Sequence, residues 1–215
     1  MKTLNNNQVN EVLNLLEEMH PEARCALDHE NVFQLIVAVA LSAQTTDVSV
    51  NKVTPALFAK YPSLEALANA DVQEVEAIIK TIGLYKNKAK NIVAMSRMIV
   101  EKFDSQVPCT REELTDLPGV GRKTANVVMA EGFGKAAIAV DTHVFRVANR
   151  IGLCNEENVN DTEHALMSIL PEDKWIRAHH LLIFHGRKCC VARNPKCNEC
   201  LLKKMCIYYS KLNAL

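Results

Sequence analysis

Glycine is scarce in this chain of 215 residues: there are seven, matched by seven prolines. Apolar residues recur at three-to-four spacing with few alternating runs, so a turn-rich β fold is excluded and an all-α protein is predicted. No stretch approaches the length of an apolar membrane span, and the first residues, Met1-Lys2-Thr3-Leu4, lack a secretory apolar core. A cytoplasmic protein is the resulting expectation. Net charge is also lacking, with 25 Lys/Arg against 25 Asp/Glu, which removes any global field for an anionic partner. The distribution restores one locally. From Lys174 onward there are nine Lys/Arg and one acidic residue, Glu199, leaving an excess of eight negative charges on the rest of the chain. Such asymmetry suggests a basic face for an anionic polymer, although a lysine-rich solvated tail would give the same count.

Eight cysteines are present, and nothing marks an oxidising compartment for them. Cys190, Cys197, Cys200 and Cys206 crowd into one short stretch with the spacing C-x6-C-x2-C-x5-C. Four thiolates suit tetrahedral zinc or an iron–sulfur cluster, and spacing alone favours zinc. Cys189 falls outside the register and is left free. Cys25, Cys109 and Cys154 are scattered and read as small buried apolar groups. His179, His180 and His185 have no carboxylate spacing beside them and read as satisfied histidines, and Trp175 as a core residue.

The most informative stretch is Leu117-Pro118-Gly119-Val120-Gly121-Arg122-Lys123-Thr124-Ala125. Two glycines after a proline and before a helix-forming run predict a tight hairpin whose N–H groups face outward beside a helix N-terminus. This is the pattern of a helix-hairpin-helix, which grips phosphate and carries little sequence information. Arg122 and Lys123 enter the first helical turn, where the dipole disfavours cations. Arg122 there suits phosphate pairing. A lysine so placed, beside another cation, has its charged form disfavoured, and the neutral amine is a nucleophile toward a sugar carbon.

Helices are predicted over residues 7–19, 31–43, 48–60, 63–68, 71–80, 87–103, 123–131, 142–151, 161–170 and 172–185. The second is apolar nearly all round and belongs at the centre of a bundle. Capping boxes are predicted at Asp71/Glu74 and Thr110/Glu113, and Gly83 closes the fifth helix. The helix 87–103 places Ala89, Ile92, Val93, Met98 and Ile99 inward and Lys88, Lys90, Arg97 and Lys102 outward. Residues 136–140 form a buried extended run that delivers Asp141 as the N-cap of the next helix.

These motifs resemble those of the endonuclease III DNA glycosylases of base excision repair. The resemblance runs from Leu41-Ser42-Ala43-Gln44-Thr45-Thr46-Asp47 through the hairpin and Val140-Asp141-Thr142-His143-Val144 to the last cysteines. It implies that Lys123 attacks C1′ of a damaged nucleoside with Asp141 assisting, and that Cys190, Cys197, Cys200 and Cys206 hold a 4Fe-4S cluster. It further implies that Gln44 and Leu84 are wedges filling the space of an extruded nucleotide, although Leu84 alone would read as a cap contact. Gly119, Val120, Gly121, Arg122, His143 and Arg193 are then DNA contacts. The implied architecture is two all-α lobes, residues 25–135 and residues 1–24 plus 136–215, with a DNA cleft between them.

The expected enzyme is a bifunctional glycosylase and abasic-site lyase, monomeric, acting on double-stranded DNA with damaged bases or abasic sites, in a bacterial-type cytoplasm at the nucleoid. Oxidised pyrimidines are the expected lesions. Two alternatives remain: a monofunctional adenine glycosylase, whose members lack the lysine, and a non-catalytic iron–sulfur DNA-binding protein.

Overall fold

The computed structural model describes residues 3–212, and every regular element among them is helical. No helix is long and apolar enough to cross a membrane. The chain divides into two compact units, Cys25–Lys135 and a second built from the segments up to Arg24 and from Ala136 on.

The Cys25–Lys135 unit is organised around α2 (Val32–Leu41), where Leu35, Ile36, Val37, Ala38 and Leu41 are fully buried. A helix apolar on all sides has to be central, and each large side chain there contributes about 1.5–3 kcal/mol on burial. Around it lie α3 (Asp47–Lys60), α4 (Leu64–Ala68), α5 (Val72–Ile79) and α6 (Tyr85–Lys102), then α7 (Arg111–Thr115) and α8 (Arg122–Val127). Local chemistry sets the starts. Asn31, Thr46, Ser63, Asp71 and Thr110 each cap the following helix through a side-chain oxygen.

Several expectations are corrected here. Asp71 caps α5, but Glu74 completes no box with it: its carboxylate accepts from the Tyr61 hydroxyl at 2.9 Å and pairs with Lys60 at 3.0 Å. At Thr110 the Glu113 carboxylate accepts from the Thr110 hydroxyl at 2.7 Å. Gly83 is not the left-handed residue closing α5; that conformation belongs to Leu84, φ 58°, directly before α6. Lys88 points inward with 6 % of its surface exposed, while Met98 is only half-buried and Met95 and Ser96 take the inner face. The hairpin's second helix is not α throughout: α8 passes into a π-helical turn, Val128–Gly132, where Gly132 packs against Val32 and Leu35. Gly134, φ 62°, then ends it.

The other unit joins α1 (Asn6–Met19) to α9 (Thr142–Ile151), α10 (Val159–Ile169), α11 (Trp175–Lys188) and α12 (Ile207–Leu212). A capping box between Asn5 and Gln8 opens α1, whose Val9, Val12 and Leu16 are buried. Residues 172–185 are not one helix, because Glu172–Lys174 form a 3-10 turn before α11. Trp175 is half-buried, and its Nε1 donates to the Leu170 carbonyl at 3.0 Å. Residues 136–140 form no regular element, and Ala137 to Val140 are buried directly before Asp141 and α9. Two glycines permit close approaches. A Cβ at Gly186 would lie 3.0 Å from the His143 Cβ, and one at Gly152, φ 101°, would lie 2.2 Å from Ile207 Cδ1.

Candidate active site and cysteine pocket

Within the Cys25–Lys135 unit, α7 and α8 are joined by a closed turn in which the Val120 amide donates to the Leu117 carbonyl at 3.1 Å. Leu117 and Val120 are buried, which pins the turn to the core. Gly119 takes φ 80°, and a Cβ there would meet Asn91 at 2.9 Å, so glycine is required twice over. Gly121 is different. Its backbone is extended, φ −96°, and a Cβ would meet nothing within 4 Å. It is the N-cap of α8 and offers no side-chain cap, so the first-turn amides keep their hydrogen-bonding capacity for an outside acceptor. Arg122 is half-buried, whereas Lys123 is exposed in that first turn.

In the same unit Gln44 and Leu84 are both exposed and both on left-handed backbone, φ 53° and φ 58°. Non-glycine residues rarely adopt this conformation, and a leucine 56 % exposed there has no packing reason for it.

In the other unit Asp141 caps α9 and is half-buried. Its Oδ1 accepts from the amides of His143 and Val144, both at 2.8 Å. Oδ2 takes no hydrogen bond among the described residues, so one oxygen fixes the group and the other remains available. His143 is turned toward Arg146, whose Nη2 lies 3.2 Å from its Nδ1.

The same helix clamps the cysteine loop. Arg146 donates to the carbonyls of Gly186 at 2.9 Å and Cys190 at 3.2 Å; Arg150 donates to Val191 at 2.8 Å and Ala192 at 3.0 Å and lies over the Tyr208 ring. Arg193 stands exposed at the tip of that loop, beside the left-handed Asn194. Cys190, Cys197, Cys200 and Cys206 all line one pocket, and so does Cys189. None of these cysteines is in a disulfide. Burial pushes the Cys200 thiol up to about 12 and raises Cys189, Cys197 and Cys206 as well. Five soft thiol donors gathered about one pocket suit a bound metal.

Among the described residues, His185, Cys189 and Cys200 bring their ligand atoms within 4.8 Å of one another, close enough to hold a metal ion. This group shares only Cys200 with the quartet expected from spacing. Both sets line the same pocket, whose soft donors could hold a metal.

Spacing had left Cys189 free and His185 merely satisfied; the structure puts both at the pocket. The signal was present in the four-residue spacing, since Cys189 caps α11 and its amide donates to the His185 carbonyl at 3.0 Å. His185 is fully buried, its Nδ1 lies 3.1 Å from His20 Nε2, and burial followed by His20 lowers its pKa to about 4.

Comparison with known proteins follows the same lines. A family model described as HhH-GPD superfamily base excision DNA repair protein matches residues 37–172. The endonuclease III of Bacillus subtilis strain 168 is 50% identical over 204 residues, covering 94% of this chain and 93% of that protein. A solved non-covalent endonuclease III–DNA complex is similar with a TM-score of 0.93 and 45% identity, over 99% of this chain and 100% of the other. A trapped endonuclease III–DNA covalent intermediate gives 0.92 and 45%, over 98% and 99%.

Proposed function

This chain belongs to the HhH-GPD superfamily of base excision DNA repair proteins, among the endonuclease III enzymes, and from that premise we propose that it removes oxidised pyrimidines and then cleaves the strand, with Lys123 as nucleophile and Asp141 as the assisting carboxylate. The observation that carries the assignment is Lys123 itself, an exposed amine in the first turn of a helix whose N-terminal amides lack a side-chain cap. A phosphate held by those amides and by Arg122 brings a sugar within reach of that turn.

The reaction divides among these residues. The damaged nucleotide is extruded, with Gln44 and Leu84 filling the vacated stack. The neutral Lys123 amine attacks C1′, an N–C bond forms, and the glycosidic bond breaks with its electron pair leaving on the base, which takes up a proton. Asp141, fixed through Oδ1, steadies the positive charge that builds on the sugar as that bond breaks. The sugar ring opens to an imine, the C2′ proton is lost, and the 3′ phosphate leaves by β-elimination. Water then hydrolyses the imine and frees Lys123.

Gly119, Val120 and Gly121 hold backbone phosphate on one side of the lesion, and His143 and Arg193 provide further contacts. A 4Fe-4S cluster held by Cys190, Cys197, Cys200 and Cys206 would supply cross-linking of the loop that α9 clamps.

Borohydride reduction of an enzyme–DNA mixture tests the assignment. Wild-type protein should yield a covalent adduct on duplex carrying thymine glycol or an abasic site. Lys123→Gln should bind the same duplex and yield none. A wild-type protein that forms no adduct would defeat the nucleophile assignment.

A further inference from the structure

Lys88 is buried, yet among the described residues no carboxylate lies beside its ammonium. Nζ donates to the Thr45 hydroxyl at 2.5 Å, a neutral partner, and burial alone depresses its pKa. A buried cation with one neutral acceptor is unfavourable, and folds retain such groups where something other than stability depends on them. Its connections suggest what. The Lys88 amide donates to the Leu84 carbonyl at 3.0 Å, the first i to i−4 bond of α6, so its backbone is tied to the left-handed Leu84. Its side chain is tied to Thr45, the neighbour of the left-handed Gln44. Thr45 is held in turn by its amide, which donates to the Ser42 carbonyl at 3.0 Å, and Thr46 caps α3. One residue therefore bonds both turns that present an exposed side chain on strained backbone.

We propose that Lys88 is a positioning residue which locks the Gln44 and Leu84 turns into one rigid pair, so that the two side chains enter the DNA stack together.

The inference rests on the reading of this chain as an enzyme that extrudes a nucleotide, and it adds a buried residue that acts through its neighbours. Rigid presentation matters because two side chains ordered before binding cost less entropy to insert than two mobile ones. The link should therefore act on lesion recognition and leave the phosphate grip unchanged.

The experiment compares wild type with Lys88→Met, which keeps the length of the side chain and removes the charge, and with Thr45→Val, which reaches the same link from its other end. Duplex containing a stable abasic-site analogue and undamaged duplex are the two probes. Each variant should lose about tenfold in affinity for the analogue duplex and change by less than about twofold on undamaged duplex. Combining the substitutions should add nothing further, since both remove one bond. Hydrogen exchange at residues 43–47 should accelerate in both. Lys88→Met should also melt no lower than wild type, an outcome that a purely structural lysine would not give.

Unchanged discrimination between the two duplexes, or losses that simply add, would overturn the inference; if Lys88→Met does not fold, Thr45→Val alone decides. A wild-type protein that forms no borohydride adduct and does not favour the analogue duplex would instead overturn the functional reading beneath it.

Discussion

The two units hold themselves together by different means. The interior of Cys25–Lys135 is hydrocarbon around α2, and its buried polar groups are few: Thr54, Lys88, Ser96 and Asn126. The other unit buries His20, Thr162, Glu163, His179, His180 and His185 and gathers five cysteines about one pocket. The first stabilises itself by packing. The second leaves the seat of Asp141 dependent on a clamp between α9 and the cysteine loop, and through it on whatever fills the pocket. The proposed chemistry thus draws its nucleophile from a self-sufficient scaffold and its carboxylate from a conditional one.

The severest way to break this contrast is to treat the protein with a chelator under reducing conditions, which would empty the pocket of a metal held by its thiols. Metal binding contributes about 10–16 kcal/mol in small structural zinc sites, comparable to a whole domain's stability of about 5–15 kcal/mol. Hydrogen exchange should show α9 and α11 losing protection while α2 and α6 keep theirs; equal loss in both units would refute the contrast.

Leu35→Ala probes the opposite side. Removing a fully buried side chain from the centre should cost about 2–5 kcal/mol in thermal or denaturant unfolding, with metal content unchanged. A fall in metal content would show that the units are not separately stabilised.

A smaller effect separates cap from catalyst at Asp141. Asp141→Ala should cost about 1 kcal/mol through loss of the α9 cap, whereas Asp141→Asn, an equally good cap, should leave stability nearly unchanged. Both should slow borohydride trapping. Full activity in Asp141→Asn would assign this residue to the fold alone.

The least effect is expected at Glu17, whose carboxylate accepts from Arg177 Nε at 2.7 Å and thereby joins α1 to α11. The Arg177 hydrogen bond holds its pKa below the ordinary 4.5. The stabilisation is present above the unfolded value and is lost as pH falls through the depressed folded one. Glu17→Gln should cost under about 1 kcal/mol at neutral pH, the pair being half-exposed, and nothing in strong acid. A cost that persists in acid would mean the side chain contributes by packing.

What the sequence disclosed was local. Caps at Asp71, Thr110 and Asp141, the hairpin at Gly119, and the centrality of α2 each follow from a few neighbouring residues. What it concealed required partners distant in the chain. Lys88 looked outward because the acceptor that buries it, Thr45, lies on another turn. Glu74 looked like half of a capping box because Tyr61 and Lys60 were not yet beside it. The left-handed residue after Gly83 was misplaced by one, since glycine is the ordinary occupant and nothing nearby says that Leu84 is held there instead. The fifth cysteine escaped because spacing describes a ligand set and not the walls of a pocket.

Gly152 has a consequence for how this chain can change. Ile207 occupies the space that any side chain at position 152 would need, and the same short helix supplies Tyr208 and Tyr209 to the cysteine pocket. A single hydrogen atom, on a residue outside the pocket, therefore decides whether α12 can seat Tyr208 and Tyr209 against the sulfurs. Variation there would be felt first as solvent reaching the buried thiols, well before it was felt as a failure to fold.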